Sequence, residues 1–302
     1  MNNTCFFKPQ GRVDVVLDTD AYNEVDDQFA IAYLLRSKQM LNTVALYAAP
    51  FYNSRSESPE DGMKKSYDEI LHILRLCGED ELKNSVFHGS ASYLPDEKTP
   101  VISPAAEDLA SRAMCYSKED PLYVVAIGAI TNIASALLMK PEIRDQIVVI
   151  WLGGNALHWH NTKEFNMMQD YPAARIVMSS GVPFVQLPCS GVVSEFDISK
   201  PELEYWLVGK NPLADYLANN TIAYMDAWNL GRPWSKTIWD VTAVAWLLNE
   251  NERFMKARMI PAHLPDDNGQ YMPAIDQQIC YVYGINRDAL MEDLIRKLVI
   301  AP

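Results

Sequence analysis

The sequence has few basic residues and few histidines. Its 39 Asp and Glu residues outnumber 26 Lys and Arg, which gives a net charge of −13, and it has five histidines. Proteins that bind nucleic-acid backbones or anionic lipid headgroups need a basic surface. The charge therefore argues against nucleic acid and a membrane surface as partners. It remains compatible with a bound cation or a small neutral ligand.

Cysteines and long apolar runs are also scarce. The five cysteines lie far apart, with no CxxC pair, so the sequence gives no sign of a disulfide framework. No window approaches about 18 uncharged apolar residues, the length that predicts a membrane span. The first residues also lack the long apolar segment of a secretory signal. We therefore expect a cytoplasmic protein with no membrane partner.

Strand and helix patterns alternate through the first two thirds of the chain. Near-continuous Val, Ile and Leu strands favour a parallel sheet that is buried on both faces. After about residue 200 the patterns become mainly helical. We predict an α/β fold, with a mostly parallel central sheet flanked by helices and a helical elaboration near 200–250, in a single domain over 1–302. The strand patterns lie at 13–20, 42–50, 85–89, 122–128, 146–154 and 183–188, and the segment 277–300 predicts a strand followed by a helix.

An acidic cluster follows the first predicted strand. It contains Asp18, Asp20, Glu24, Asp26 and Asp27. In open parallel sheets, ligands bind beyond the carboxyl ends of the strands. The repulsion among these carboxylates is offset if they share a divalent cation, and oxygen ligands without Cys or His suit Ca²⁺ better than Zn²⁺. The alternative is an acid-rich helix start, in which Asp26 and Asp27 complement the helix dipole.

With these residues the chain resembles the nucleoside hydrolase family, the inosine/uridine-preferring N-ribohydrolases. The family's DxDxxxDD pattern is similar to Asp18-Thr19-Asp20 with Asp26-Asp27, although this chain has two additional residues in the turn. Four other segments are similar to family segments and come in the family's order: VAIGAITNIASAL (125–137), LGGN (152–155), EFN (164–166) and WDV (239–241).

The resemblance implies a nucleoside-hydrolase-like fold with a Rossmann-like core, and a substrate and cofactor. It implies an enzyme that cleaves the N-glycosidic bond of ribonucleosides, giving ribose and free base. The implied cofactor is Ca²⁺, held by Asp20, Asp27, Asp240 and the main-chain carbonyl of Ile127, with Asp20 also acting as general base. A homo-oligomer, dimer or tetramer, is implied as well.

The same resemblance implies the residues that hold the ribose. Asp18 braces the loop from behind, and Glu24 is an alternative to Asp26 because of the longer turn. The implied partners of the ribose hydroxyl groups are Asp26, Asn53, Asn155, Glu164 and Asn166.

The residue before Asp240 departs from part of the family. Pyrimidine-handling members have His at this position, whereas this chain has Trp239. An indole donates one N–H and cannot act as a general acid at neutral pH. Trp239 resembles the purine-specific branch, in which an indole stacks on the base, so we expect a purine or modified purine nucleoside. Trp228, Arg232 and His158 are further candidates for the substrate pocket, with ordinary packing or loop roles as the alternative.

Two other functions fit parts of the sequence. A phosphohydrolase of the haloacid dehalogenase type also begins with a strand and DxD, but it requires Thr or Gly-Thr where this chain has Ala21-Tyr22. A non-catalytic protein that binds carbohydrate or nucleoside through a degenerate hydrolase site is favoured by the longer turn and the missing His. The sequence leaves open the preferred nucleobase and the leaving-group acid.

Overall fold

A computed structural model of the protein describes residues 8–229 and 231–299. Within these ranges the strands are β1 (Val13–Thr19), β2 (Leu41–Ala48), β3 (Val86–His88), β4 (Leu122–Ala126), β5 (Ile147–Leu152), β6 (Phe184–Leu187), β7 (Asp197–Ser199), β8 (Ser235–Thr237), β9 (Met255–Pro261) and β10 (Gln278–Ile285). Eight of them form one sheet in the order β3-β2-β1-β4-β5-β6-β10-β9, and β7 pairs with β8. Every pair in the large sheet is parallel except β9 with β10.

The helices alternate with the strands and flank the sheet, as the sequence predicts. They are α1 (Asp27–Leu35), α2 (Pro59–Cys77), α3 (Pro104–Arg112), α4 (Thr131–Met139), α5 (Phe165–Gln169), α6 (Tyr171–Ser179), α7 (Lys200–Trp206), α8 (Pro212–Asn229), α9 (Val241–Trp246) and α10 (Arg287–Val299). Three of them, α7 to α9, form the elaboration expected near 200–250. Among the described residues, no helix combines the length and the apolar character that crossing a membrane requires.

The sheet is buried on both faces, which confirms the mostly parallel α/β fold. Side chains alternate across β1, so Val15 and Leu17 join one apolar cluster while Val16 joins the cluster on the opposite face. Helix α1 lies in the first cluster with all nine of its residues buried. The prediction of a single domain over 1–302 stays a prediction.

Three strands have no counterpart in the sequence prediction. Strands β7 and β8 have three residues each, too few to display an alternating pattern. Strand β9 carries Lys256 and Arg258 among its apolar residues and pairs only with β10 at the edge of the sheet. Short or half-exposed strands lack the continuous apolar run that identifies the central strands.

Helix α2 begins and ends where its sequence predicts. The Ser58 hydroxyl accepts a hydrogen bond from the Asp61 backbone N–H at 3.1 Å, and Pro59 occupies the first turn. Gly78 ends the helix in the left-handed conformation, with a φ of 74°. Near its start, Gly62 packs directly against the segment that follows β2. A Cβ atom at Gly62 would lie 2.1 Å from the carbonyl oxygen of Phe51.

We expect Gly62→Ala to destabilise the protein by about 1–3 kcal/mol, because the added methyl group collides with rigid backbone. The matched control is Gly284→Ala, where an added Cβ meets no atom within 4 Å. Thermal denaturation with a chelator present measures both variants. Equal midpoints for Gly62→Ala and Gly284→Ala would contradict the close approach of α2 to Phe51.

Candidate active site

A pocket opens where four neighbouring parallel strands end. Strands β1, β4, β5 and β6 all point their carboxyl ends at it, the position where ligands bind in sheets of this kind. Its volume is about 260 Å³. The lining residues are Asp20, Asn23, Glu24, Asp26, Asp27, Ile127, Leu152, Asn155, Lys163, Glu164, Phe165, Asn166, Cys189, Ser190, Trp239 and Asp240.

The acidic turn after β1 delivers its carboxylates to the pocket despite its two additional residues. The Asn23 backbone N–H donates to the Asp20 carbonyl at 2.7 Å, which tightens the turn. The Thr19 hydroxyl donates to the Asp27 carboxylate at 2.6 Å and closes the base of the turn. Asp26 immediately precedes helix α1 and Asp27 begins it. Both carboxylates therefore line the pocket, as does Glu24.

Three carboxylates from two distant segments form a compact buried group. One ligand atom from each of Asp26, Asp27 and Asp240 lies within 4.8 Å of the others, and these residues are 2%, 2% and 4% exposed. Beside them, neither carboxylate oxygen of Asp20 has a hydrogen-bond partner among the described residues, although both are buried. Unpaired buried carboxylate oxygens are costly unless a cation neutralises them. The group therefore fits a hard divalent cation with oxygen ligands.

Burial shifts the acid–base behaviour of this group. Burial, followed by the charge of Asp26, raises the pKa of Asp27 to about 8. Burial and the charge of Asp27 raise the pKa of Asp20 well above its ordinary value. Burial and the charge of Asp26 do the same to the pKa of Asp240. Without a cation, the folded protein therefore holds protons on carboxyl groups that water would leave ionised.

Asp18 lies beneath the turn and does not line the pocket. Its carboxylate accepts from the Asn132 side chain at 2.8 Å, and its carbonyl accepts from the Ile127 backbone N–H at 2.9 Å. Burial raises the pKa of Asp18 to about 7, against the effect of the Asn132 hydrogen bond. The side-chain Oδ1 of Asn132 in turn accepts from the Ser90 backbone N–H at 2.8 Å. Asp18 therefore ties the turn to the segments after β3 and β4.

Two of the predicted sugar-binding residues also support the backbone around the pocket. The Asn166 amide donates to the carbonyls of Ile127 at 3.2 Å and Leu152 at 3.0 Å. The Glu164 carboxylate accepts from the backbone N–H groups of Gly154 at 2.8 Å and Asn166 at 2.9 Å. Ile127 and Asn166 both line the pocket, and the hydrogen bond between them connects the end of β4 to the start of α5.

The other two predicted asparagines differ in their distance from the pocket. Asn155 lines it, while its side chain also accepts from the Ser190 backbone N–H at 3.1 Å. Asn53 is not among the lining residues. It reaches the pocket through Asn23, whose side-chain oxygen accepts from the Asn53 amide at 2.6 Å. Asn23 is the residue of this pair that meets the pocket itself.

Of the residues considered for base contact, the structure places only Trp239 in the pocket lining. Trp239 is half-buried and directly precedes Asp240, at the start of α9. Trp228 lies near the end of α8 with 75% of its surface exposed, and Arg232 and His158 are also exposed. These three side chains lie outside the lining.

Five residues around the pocket with polar or ionisable side chains were not identified from the sequence. Cys189 and Ser190 follow β6, so the rule that ligands meet the carboxyl ends of strands was a sufficient signal for them. Asn23 lies within the acidic turn. Lys163 precedes Glu164, and Lys236 lies in the unpredicted strand β8. Burial raises the pKa of the Cys189 thiol well above its ordinary value, so this side chain stays protonated at neutral pH.

Lys236 is a buried cation that pairs with the acidic turn. Its ammonium nitrogen lies 2.5 Å from Glu24 Oε2 and 3.4 Å from Asp26 Oδ1. Burial opposes its charged form, but the carboxylates of Asp26 and Glu24 raise the pKa of Lys236 above its ordinary value overall.

The amino-acid sequence is similar to those of known hydrolases. The family profile "Inosine-uridine preferring nucleoside hydrolase" matches residues 15–278. The pyrimidine-specific ribonucleoside hydrolase RihA of Escherichia coli O81 (strain ED1a) is 25% identical over 259 residues, which are 78% of this chain and 79% of that protein.

Solved structures share the fold at lower identity. A purine-preferring ribonucleoside hydrolase from Gardnerella vaginalis has a TM-score of 0.74 and 20% identity, covering 95% of this chain and 98% of its own. An inosine-guanosine nucleoside hydrolase has a TM-score of 0.76 and 13% identity, covering 96% of this chain and 100% of its own.

These similarities define the class of the protein. It is a ribosyl hydrolase, an enzyme that acts on nucleosides. The chain belongs to the inosine-uridine preferring nucleoside hydrolase family, whose profile covers most of its length. The resemblance noted in the sequence is thereby confirmed.

The raised pKa values predict how cation binding depends on pH. Asp27 has a folded pKa of about 8, above its unfolded value of 3.8, so the cation-free folded protein binds more protons than the unfolded chain. This contribution to stability is full at low pH and is lost as the pH rises towards 8. A divalent cation displaces those protons, so we expect excess Ca²⁺ to raise the melting temperature more at pH 8 than at pH 5.5.

Thermal denaturation with Ca²⁺ or with a chelator at the two pH values measures this difference. Asp27→Asn removes both the ionisable group and an expected calcium ligand, so the stabilisation by calcium should be lost at both pH values in this variant. An equal calcium effect at both pH values in the native chain would show that these carboxyl groups are not protonated in the cation-free protein.

Proposed function

We propose that the protein is a calcium-dependent ribonucleoside hydrolase that acts on purine or modified purine nucleosides and releases ribose and free base. One observation carries the proposal. The buried, unpaired carboxylate of Asp20 lies in the same pocket as the group of Asp26, Asp27 and Asp240. We propose purine salvage as its role, in a homo-oligomer, dimer or tetramer, in the cytoplasm.

The choice of Ca²⁺ rests on the chemistry of the donor set. Asp20, Asp27, Asp240 and the Ile127 carbonyl offer oxygen atoms only, the ligands of a hard cation. The lining also contains the Cys189 thiol, but this is a single soft donor among many oxygen atoms, whereas softer metals are held mainly by thiolate and imidazole ligands. When bound, the cation supplies positive charge that polarises the oxygen atoms of water and of the ribose diol.

The side chains of the pocket supply the remaining chemistry. Asp20 accepts the proton of the attacking water, which requires an approach of about 2.6–3.2 Å. Asp26 and Glu164 hold the ribose hydroxyl groups with Asn155 and Asn166, while Asn53 acts through its hydrogen bond to Asn23. Hydrolysis passes through an oxocarbenium-like ribosyl ring, and the preorganised carboxylates favour its positive charge.

The proposed preference for purines rests on Trp239. The indole lines the pocket next to Asp240, so it can stack on a nucleobase whose ribose lies at the carboxylates. Base–aromatic stacking is worth roughly 1–3 kcal/mol and increases with the area of overlap, which favours the larger purine ring. RihA, the relative from Escherichia coli, is described as pyrimidine-specific. At 25% identity that description does not decide this chain's preference.

We expect the native chain with Ca²⁺ to release reducing sugar faster from inosine, adenosine or guanosine than from uridine or cytidine. Trp239→Ala should raise the KM for the best purine substrate by about 5- to 100-fold, since stacking is lost. Trp228→Ala is the matched control, because this tryptophan is exposed outside the pocket lining. Faster cleavage of uridine than of every purine nucleoside would refute the stacking role.

The same assay separates the enzyme from the alternative, a binding protein with a degenerate site. Release of sugar from any nucleoside in the panel contradicts the alternative. Binding of nucleosides without release, at saturating Ca²⁺, would favour it over the proposed function.

We expect Asp27→Ala and Asp240→Ala each to lose calcium binding and to lower kcat/KM by about 100-fold or more, since each removes a charge from the reacting centre. Isothermal titration with Ca²⁺ and the sugar-release assay measure the two effects. Asp68→Ala, on an exposed position of α2, is the control that keeps both. Stoichiometric calcium in both pocket variants would refute the ligand assignment.

A further inference from the structure

A buried lysine contacts the acidic pocket from behind, and the proposed chemistry does not use it. Lys236 is absent from the pocket lining, and its side chain is 8% exposed. Its ammonium group contacts Glu24 and Asp26, both of which do line the pocket. The positive charge is therefore fixed on the far side of two carboxylates whose near side meets the ligand.

The two-stranded antiparallel sheet of β7 and β8 sets this position. Lys236 pairs with Ile198 in the middle of this small sheet. The flanking hydroxyl groups of Ser235 and Thr237 both donate to the Asp197 carboxylate. Because successive strand residues point to opposite faces, Lys236 is directed the other way, towards the acidic turn. The small sheet thus directs one ammonium group to the turn and anchors both neighbours of Lys236.

Asp26 lies within reach of two positive charges, the Lys236 ammonium group and a cation bound in the pocket. One of its oxygens belongs to the compact group with Asp27 and Asp240, so it lies within reach of a cation bound there. Its Oδ1 lies 3.4 Å from the Lys236 ammonium. An ammonium group and a divalent cation compete for the same carboxylate, and each opposes the other's binding through like charge. The buried position of Lys236 limits the screening of this repulsion by solvent.

We propose that Lys236 is a positioning residue that divides the carboxylates of the pocket between two tasks. It holds Glu24 and Asp26 for the hydroxyl groups of the substrate and leaves Asp20, Asp27 and Asp240 to the cation. Affinity for calcium rises with the number of carboxylate ligands, so Lys236 keeps the cation less tightly bound than the full acidic set would hold it. The inference rests on the proposed function for the identity of the two ligands.

The proposal predicts opposite changes for cation and substrate. In Lys236→Met we expect the Kd for Ca²⁺, measured by titration of the full chain without substrate, to fall about tenfold. The KM for the fastest-cleaved nucleoside of the panel should rise about tenfold, with a smaller change in kcat, because Asp26 is no longer held for the sugar. Lys236→Arg keeps the charge and should restore both values to within about threefold of the native chain.

A double variant tests the charge argument and guards against a folding defect. Lys236→Met with Glu24→Gln removes one positive and one negative charge, so the net charge of the pocket is that of the native chain. We expect its calcium affinity to return towards the native value while its KM stays raised. The double variant also leaves one fewer unpaired carboxylate than Lys236→Met alone. Circular dichroism verifies the fold of each variant.

Weaker or unchanged calcium binding in folded Lys236→Met would overturn the proposal. If only the double variant folds, calcium binding weaker than that of the native chain would overturn it. A parallel loss of both ligands would indicate a merely structural lysine. If the native chain cleaves no nucleoside of the panel, the proposed function fails, but the calcium titrations still decide the role of Lys236.

Discussion

The structure depends on the confinement of like charges. Asp20, Glu24, Asp26, Asp27 and Asp240 line one pocket of about 260 Å³, and four of them are almost completely buried. Such an arrangement is unfavourable by itself, because each carboxylate loses solvent and repels its neighbours. The arrangement persists because the parallel sheet fixes where the strands end. The starts of helices α1 and α9 fix the positions of Asp27 and Asp240. The rigid scaffold thus maintains an electrostatic stress that a cation relieves.

The central fold was predictable because each central strand is a short apolar run that can be recognised in the sequence. Runs such as Leu122–Ala126 and Ile147–Leu152 are buried along their whole length and are almost wholly apolar, a pattern that can be recognised without knowing which strands lie beside them. The pairing of β7 with β8 was not predictable on these grounds. Ser199 and Ser235 are paired although 35 residues lie between them in the chain, and no local periodicity encodes that pairing.

The site residues differ in the same way: those with local contacts were predictable and those with distant partners were not. Asp20, Asp26 and Asp27 were identifiable because they lie close together in one turn, and Asp240 because WDV (239–241) resembles a segment of the nucleoside hydrolase family. Lys236 and Glu24 are 212 residues apart in the chain. Nothing in the local sequence SKT (235–237) identifies Glu24 as the partner of the lysine. Asn53 lies one side chain farther from the pocket than expected, because Asn23, in the lengthened turn, stands between.

The hydrogen bond from Thr19 to Asp27 allows the middle of the acidic turn to vary in length and sequence. The bond closes the turn at its base, while Asn132 anchors Asp18 below it. The stretch from Ala21 to Val25 is therefore held at both ends, and Lys236 also holds Glu24 within it. The two additional residues lie in this segment, which presents Asn23 to the pocket. The carboxylates of Asp20, Asp26 and Asp27 flank the segment, so the groups at its middle can change while these carboxylates keep their places.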